Sequence, residues 1–378
     1  MHFQLTDEQK MIQELARTFA DREIIPLAAK ADRDEQFPIA VQAKALELGL
    51  LNLALPTEYG GGGLGAMEVA LVTEQLCRGC LGIGAALSIS ALASEPILIA
   101  GTPAQQQAYF SRLAAGQFAS FALTEPAAGS DVAALRTQAK RVDGGYKLTG
   151  SKIWISNASL ASFMVVFAKT DMDAGHKGIS AFVVEREAPG LSVGEPLGKL
   201  GQRAAPVCEV FFDEVHVPES SRLGQEGEGF SIAMRTFDRS RPMAAAFALG
   251  VMQRCLDEAL AYAKERRSMG KAILEHQAVG HKLAEMSMKL EAARLLTYQA
   301  AWRADQGQPN TAECAMAKAF ACDAAMWAAT EAIQVYGGMG YSTEFPVEKL
   351  FRDAKVLQIY EGTSEIQRNI ILRELTRA

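Results

Sequence analysis

The first third of the chain carries apolar residues at helical spacing. Thr6 stands three residues before Gln9, the spacing of a capping box, and apolar positions then recur every three or four residues as far as Ala20. Further helices are predicted at 38–48, 66–76, 81–99 and 103–113. Residues 1–115 are therefore predicted to form an N-terminal helical domain.

The pattern changes between residues 116 and 225. Short segments rich in β-branched and aromatic residues alternate with turn signals such as Asp143-Gly144-Gly145. Strands are predicted at 118–123, 146–155, 163–169, 179–184 and 207–215. No helix-length segment separates them, so an antiparallel β-sandwich or barrel is favoured over a parallel sheet.

Residues 226–378 return to a helical pattern, and the predicted helices are longer. Helices are predicted at roughly 228–267, 275–306, 310–336 and 343–355, with a terminal one from 364. Pro242 lies inside the first of these and is expected to kink it. Long helices with short connections indicate a C-terminal four-helix bundle. The fold class predicted for the chain is thus α+β multidomain.

Charge and hydropathy narrow the class of protein. The 378 residues include 38 Lys and Arg against 44 Asp and Glu, a net charge of −6, which argues against a general nucleic-acid binder. The apolar stretch 81–100 is long enough to span a membrane, but Ser88, Glu95 and Pro96 interrupt it, so a buried helix is favoured. The N-terminus resembles neither a signal nor a transit peptide. We expect a cytoplasmic protein with no membrane span.

Several familiar motifs are incomplete. The glycine run 59–65 contains a GxGxxG pattern, but no βα alternation and no acidic residue at the required distance follow it. Cys77 and Cys80 have CxxC spacing without a second ligand pair. His276 and His281 are five apart, off one helical face. We expect no metal site.

Two segments in the predicted β domain could contact a flat polar ligand. Residues 123–131 follow a strand and combine hydroxyls, small residues and a proline, so their backbone N–H groups could approach a ring or a phosphate. Trp154 and Ser156 share one strand face, which suits stacking plus one hydrogen bond to a heteroaromatic ring. The alternatives are an ordinary turn and a tryptophan at a sandwich edge.

A third segment places Glu361 and Gly362 just before a predicted helix start. Ser364 and Gln367 have capping-box spacing there. On position alone, Glu361 could be a solvated acid. If it faces an apolar cleft, it becomes a candidate general base with a raised pKa.

Together these three segments resemble the acyl-CoA dehydrogenase family, with the medium- and short-chain branches closest. The resemblance covers nearly the whole chain and includes the order of the three zones. Further matching motifs are Glu-Ile-Ile-Pro at 23–26, the glycine run, and segments 237–242, 265–271 and 334–340. It implies a helical domain, a middle β domain and a C-terminal helical bundle, assembled as a homotetramer.

The resemblance implies FAD as cofactor, with part of each site supplied by a neighbouring subunit. The residues implied to contact FAD are Phe121, Leu123, Thr124, Ser130, Trp154, Ser156, Arg266, Ser268, Gln277, Gln334, Gly338, Thr363 and Glu365. Those implied to contact the substrate are Ser130, Asp238, Arg241 and Gly362.

The resemblance also implies the reaction. Glu361 matches the catalytic base, which removes the α proton of an acyl-CoA while hydride passes from the β carbon to flavin N5. The product is a trans-2-enoyl-CoA, as in fatty-acid β-oxidation, and the electrons pass to electron-transferring flavoprotein. Ser240 occupies the position of the base in other branches and cannot serve that role.

Alternatives remain open at this point. The thioester could belong to a carrier-protein-bound acyl or aminoacyl group, and a non-catalytic flavin scaffold is a further reading that the carboxylate at Glu361 disfavours. Gly84 and Ser88 match positions where larger polar residues line the acyl pocket of medium-chain members. We therefore expect a larger pocket, suited to longer or branched acyl groups.

Overall fold

The computed structural model describes residues 4–377, whose helices and strands fall in three successive groups. The N-terminal helices are α1 (Asp7–Phe19), α2 (Ile25–Asp34), α3 (Ile39–Glu47), α4 (Ala66–Gly79), α5 (Leu81–Ala100) and α6 (Pro103–Ala114). The strands of the main sheet are β1 (Phe118–Ala122), β2 (Gln138–Val142), β3 (Gly145–Ser156), β4 (Ala161–Lys169), β5 (Ile179–Glu185), β6 (Leu191–Val193), β7 (Val207–Pro218) and β8 (Arg222–Leu223). The C-terminal helices are α7 (Gly229–Glu265), α8 (Gln277–Asp305), α9 (Thr311–Tyr336), α10 (Pro346–Ala354) and α11 (Ser364–Arg377), and a short hairpin, β9 (Arg267–Ser268) and β10 (Lys271–Ala272), precedes α8.

Helix α1 begins with the capping box that the sequence predicts. The Gln9 amide donates to Thr6 Oγ1 at 3.2 Å, and the Thr6 amide donates to the Gln9 side chain at 3.0 Å. A π-helical segment, Ala20–Ile24, then leads directly into α2. The sequence pattern did not predict α2 as a separate helix.

Helices α4, α5 and α7 cross closely because glycines stand at the crossings. A Cβ on Gly84 of α5 would lie 2.7 Å from Cys77 Sγ and 2.9 Å from the Cys77 amide nitrogen of α4. A Cβ on Gly250 of α7 would lie 2.5 Å from the Glu74 carbonyl oxygen of α4. Helix α5 is long and apolar enough to cross a membrane by length and composition, but it packs inside the protein with 61% of its most apolar window buried. It runs past Pro96 to Ala100.

The helical, β and helical order of the predicted fold class is confirmed, but the sheet is mixed. Its strand order is β6-β7-β3-β2-β4-β5-β8, with β1 paired to β4. The β1–β4 pairing is parallel, whereas β2–β3, β3–β7 and β4–β5 are antiparallel. A parallel pair requires a crossover. Here β1 leaves the sheet through a long loop and the β2–β3 hairpin is completed before the chain returns in β4.

The bundle contacts the N-terminal domain directly. Asp305 at the end of α8 accepts hydrogen bonds from the amides of Ala66 at 2.6 Å and Met67 at 3.0 Å, and so caps the N-terminus of α4. Helix α7 is continuous through Pro242. At the start of α11 the capping residue is Thr363, whose Oγ1 accepts from the Ile366 amide at 3.2 Å. The predicted capping box at Ser364 is wrong, because that hydroxyl donates to Asp323 instead, at 2.8 Å.

Candidate active site

Glu361 lies in the turn between α10 and α11 and faces α7. Its carboxylate Oε2 accepts a hydrogen bond from Ser240 Oγ at 3.0 Å. Burial raises the pKa of Glu361, while the Ser240 hydroxyl and the charges of Arg241 and Lys318 act to lower it. A partly buried carboxylate with a raised pKa and no ion pair within salt-bridge distance among residues 4–377 has the properties of a general base.

The turn that carries Glu361 has an unusual backbone. Glu361 and Gly362 both adopt left-handed conformations, with φ of 56° and 86°. Gln367 Nε2 donates to both of their carbonyl oxygens at 3.0 Å. Lys318 Nζ donates to the Gly362 carbonyl oxygen at 2.7 Å. These bonds stabilise a conformation that a glutamate seldom adopts.

Arg241 and Asp238 lie inside the protein beside this turn. The Arg241 guanidinium is buried and its Nη1 donates to Asp238 Oδ1 at 3.0 Å. Thr311 Oγ1 donates to Asp238 Oδ2 at 2.9 Å. Burial lowers the pKa of Arg241, and the buried Nε has no hydrogen-bond partner within residues 4–377. The predicted contact of both residues with the substrate stays a prediction.

The loop after β1 is fixed by a buried ion pair that the sequence did not single out. Lys152 Nζ donates to Glu125 Oε1 at 2.7 Å and to the Leu123 carbonyl oxygen at 3.0 Å. Glu125 also accepts from the amides of Arg136 at 2.6 Å and Thr137 at 3.0 Å. Burial lowers the pKa of Lys152 to about 8, against the opposing effect of Glu125. The available signal was a lysine within an otherwise core-forming strand.

Side chains at the C-terminal end of β3 are free to contact a flat ligand. The Trp154 indole is 56% exposed although its neighbour Ile155 is buried, and Trp154 has a φ of 62° at an irregularity in the β3–β7 pairing. Ser156 is half-buried, and neither its hydroxyl nor that of Thr124 donates to a side chain or carbonyl of residues 4–377. An exposed indole beside free hydroxyls fits the isoalloxazine ring of a flavin.

Phe121 of β1 and Asn157 after β3 are held by contacts with other elements of the fold. The Phe121 ring packs against Phe167 at 5.0 Å and Phe237 at 5.8 Å between centroids. Asn157 Nδ2 donates to the Ala86 carbonyl oxygen at 2.7 Å and so joins the end of β3 to α5. No local pattern indicates this role for Asn157, because its partner is 71 positions away in the chain.

A second group of predicted cofactor residues lies elsewhere. Its members are all exposed at the end of the bundle where α7 and α9 finish: Arg266, Ser268, Gln277, Gln334 and Gly338. The stacked rings of Tyr262 and Tyr336, 4.0 Å apart, join these two helix ends. Gln334 is sixteen residues along α9 from Lys318, a distance of about 24 Å at helical rise. Within one chain this exposed cluster is therefore separate from the Glu361 turn.

The remaining predicted residues lie on the Glu361 turn, at the start of α11, or on the loop after β1. Thr363 caps α11, Glu365 is exposed in the first turn of that helix, and Gly362 accepts from Lys318 and Gln367. Leu123 is buried, while Ser130 is exposed on the loop that follows it.

A cavity lies beside α5, where the sequence predicts a larger acyl pocket. Ser88, Ser94 and Glu95 line it, and Glu95 pairs with Arg239. Burial raises the pKa of Glu95, opposed by Arg239. Gly84 does not open space, because α4 fills the position that its side chain would take. The larger pocket expected at Gly84 is therefore wrong, whereas Ser88 does border the cavity.

Comparisons with known proteins identify the family. Three family models match in order: acyl-CoA dehydrogenase, N-terminal domain, at 6–117; middle domain, at 120–215; and C-terminal domain, at 227–376. The chain is 43% identical over 373 residues to an acyl-CoA dehydrogenase of Bacillus subtilis, covering 98% of each chain. It is 41% identical to the mitochondrial short-chain specific acyl-CoA dehydrogenase of Bos taurus, covering 99% of this chain and 92% of that one.

Solved structures agree. Butyryl-CoA dehydrogenase from Megasphaera elsdenii has a TM-score of 0.97 and 39% identity over the whole of both chains. A chain from a study of the electron transferring flavoprotein of Acidaminococcus fermentans has a TM-score of 0.98 and 40% identity over the whole of both chains. The prolyl acyl carrier protein oxidase AnaB has a TM-score of 0.95 and 34% identity, covering 98% of this chain and all of that one.

The chain belongs to the acyl-CoA dehydrogenase family. It is a flavin-dependent oxidoreductase with acyl-CoA dehydrogenase activity, and its cofactor is FAD. Within residues 4–377, the structure brings together no group of three or more His, Cys, Asp or Glu side chains that could hold a metal.

Proposed function

We propose that this enzyme dehydrogenates short-chain acyl-CoA thioesters between the α and β carbons, with Glu361 as the base that removes the α proton. The observation that carries this proposal is the Glu361 carboxylate, which burial makes more basic and which Ser240 orients. Similarity to butyryl-CoA and short-chain specific dehydrogenases supports a short acyl group.

Each side chain then has a physical task. FAD, when bound, supplies the acceptor for the hydride that leaves the β carbon. Trp154, Ser156, Thr124 and Phe121 would hold the ring, and the Glu361 amide would be available to polarise the thioester carbonyl. Asp238, Arg241, Ser130 and Gly362 orient the CoA portion. Glu361 keeps the α proton as a neutral carboxylic acid after the transfer.

We propose further that the site is shared between subunits of a homotetramer. The cluster of Arg266, Ser268, Gln277, Gln334 and Gly338 lies about 24 Å along the bundle from the Glu361 turn. Arg266 has a planar guanidinium suited to the FAD pyrophosphate of a neighbouring copy. Thr363 and Glu365 would contact FAD near Glu361. A cytoplasmic location and electron transfer to electron-transferring flavoprotein complete the proposal, the latter supported by the Acidaminococcus fermentans neighbour.

A second substrate class has a specific observation in its favour. AnaB acts as a prolyl acyl carrier protein oxidase and shares 34% identity with this chain over 98% of its length. A carrier-protein-bound acyl or aminoacyl thioester presents the same phosphopantetheine arm as CoA. The alternative function is therefore dehydrogenation of such a carrier-bound group.

Anaerobic titration of the FAD-loaded enzyme separates these possibilities. Butyryl-CoA should bleach the flavin absorbance at lower concentration than octanoyl-CoA or palmitoyl-CoA. Glu361→Gln should bind butyryl-CoA without bleaching and lose about 10²–10⁴-fold in turnover. Bleaching by a prolyl carrier-protein thioester alone would favour the second substrate class, and near-native turnover by Glu361→Gln would remove Glu361 from the base role.

A further inference from the structure

Lys318 of α9 is a fully buried lysine without a carboxylate partner. Its exposed fraction is 0%, and no Asp or Glu of residues 4–377 lies within salt-bridge distance of its ammonium group. Burial lowers the pKa of Lys318, opposed chiefly by Cys322 and Glu361. An ammonium group in such a place is unfavourable unless something offsets its lost hydration. The one hydrogen bond that its ammonium group makes within residues 4–377 goes to the Gly362 carbonyl oxygen, at 2.7 Å.

That carbonyl belongs to the residue after the base. With Gln367 Nε2 at 3.0 Å and Lys318 Nζ at 2.7 Å, both lone pairs of the Gly362 oxygen are used. Gln367 also binds the Glu361 carbonyl oxygen. Three hydrogen bonds therefore hold the two consecutive left-handed residues, and with them the direction in which the Glu361 side chain and amide point.

The charges around Lys318 leave its positive charge facing the base. Asp323, five residues further along α9, already accepts hydrogen bonds from Gln358, Ser364 and Arg368. In the part of the chain that the structure describes, the other titratable groups that interact with Lys318 or Glu361 are Tyr360 of the turn, Arg241 of α7 and Cys322 of α9, besides Glu361 itself. Glu361 is the one of these that is anionic when it acts as a base.

We infer that Lys318 is a positioning residue for Glu361, which fixes the backbone of the turn and supplies a positive charge that favours the carboxylate form. This inference rests on the proposed function of Glu361 as the base. Gln367 shares the first task but, being neutral, not the second. The two tasks can therefore be separated by experiment.

The test compares the FAD-loaded variants Lys318→Met and Gln367→Met with the wild type by the pH dependence of kcat/KM for butyryl-CoA. The acid limb of that profile reports the pKa of the base in the free enzyme. Loss of a nearby positive charge raises a carboxylate pKa, so in Lys318→Met the limb should move up by about one pH unit. At pH values below the pKa of the base, kcat/KM of Lys318→Met should be about tenfold lower than that of the wild type. It should recover in part at higher pH. Gln367→Met should lower kcat at every pH and leave the limb in place.

Controls keep the outcomes distinct. Lys282→Met removes a half-buried lysine that pairs with Glu331 in the same bundle, and it should leave the limb in place. If Lys318→Met does not fold, Lys318→Gln keeps a donor for the Gly362 carbonyl and should show the same upward shift with a smaller loss of kcat. If the acid limb does not move in the folded Lys318 variant while Glu361→Gln is inactive, the role of Lys318 is refuted and the assignment of Glu361 as the base stands. Full activity in Glu361→Gln overturns the base assignment as well.

Discussion

The Ser240 hydroxyl donates a hydrogen bond to Oε2 of Glu361 at 3.0 Å, joining residues 121 positions apart. Ser240 belongs to the long helix α7 and Glu361 to the turn before α11. Since α7 is packed on both sides, the hydroxyl is a rigid reference point for a carboxylate on a turn. Ser240 therefore affects both where the Glu361 side chain points and how readily it binds a proton.

Ser240→Ala should move the acid limb of kcat/KM to higher pH. The hydrogen bond favours the carboxylate form, so without it the pKa of Glu361 rises and more of the base is protonated at a given pH. A bond to a charged group worth about 1.5 kcal/mol corresponds to about one pH unit. Activity should fall at low pH and recover at high pH. Ser231→Ala, an exposed serine on the same helix, is the matched control and should not move the limb.

Glu361→Gln should stabilise the fold at neutral and alkaline pH. Burial raises the folded-state pKa of Glu361 above its usual value, so the folded protein binds this proton more tightly than the unfolded chain. Ionisation therefore destabilises the fold as pH rises through the folded-state pKa, and glutamine avoids that cost while still accepting from Ser240. The Tm of the variant should exceed that of the wild type at neutral pH. An equal difference in Tm below pH about 4.5, where the wild-type carboxyl is also neutral, would contradict this explanation.

Local sequence patterns predicted the elements of the fold well but not their contacts. Helix and strand periodicity located every long helix of the bundle, yet β2 was missed because Gln138, Lys140 and Arg141 give it a polar pattern. The parallel β1–β4 pairing depends on a crossover that no local pattern encodes. Chain-distant relationships such as Lys318 with Gly362 were missed for the same reason.

The residues of the candidate site likewise include some that local patterns predicted and some that they did not. Trp154 and Glu361 were singled out because unusual residues stood at the ends of predicted elements. Lys152 and Glu125 were not, because a lysine in a strand normally faces solvent, and only the folded loop shows that this one is buried. The prediction of extra space at Gly84 was wrong because the space left by an absent side chain can be occupied by a neighbouring helix as well as by a ligand.

Gly84→Ala should destabilise the protein. Its Cβ would lie 2.7 Å from Cys77 Sγ and 2.9 Å from two backbone atoms of α4, so the two helices must separate. Such overpacking costs about 1–3 kcal/mol. Gly280→Ala in α8 is the control, because its Cβ would meet only the Leu274 carbonyl oxygen at 3.4 Å, and alanine favours the helix. Urea unfolding that gives equal stability for Gly84→Ala and the wild type would refute the close crossing.

Lys152→Met should cost about 3–5 kcal/mol, because it leaves the Glu125 carboxylate buried without its cation. The double variant Glu125→Gln, Lys152→Met should recover part of that loss, since no unpaired charge remains. Chemical denaturation of both single variants and the double variant measures the coupling. Additive effects would mean that the two side chains act independently.

Arg266→Ala should weaken retention of FAD with little effect on acyl preference. The side chain is exposed at the end of the bundle, and its proposed partner is the cofactor pyrophosphate of a neighbouring subunit. Flavin content after dialysis, read from the ratio of visible to ultraviolet absorbance, measures the effect. Lys264→Ala removes another exposed cation from the last turn of α7 and should retain FAD as the wild type does. Equal flavin content in both variants would count against the proposed contact.

The close crossing of α4 and α7 has a consequence for how the protein can be divided. The backbones meet at Gly250, and the Asp305 carboxylate caps α4 from the far end of α8. A fragment consisting of the C-terminal helices alone would expose the face of α7 that α4 and α5 normally cover. The chain therefore cannot be divided at the boundaries between its three compositional zones. Fragments cut there should aggregate rather than fold on their own.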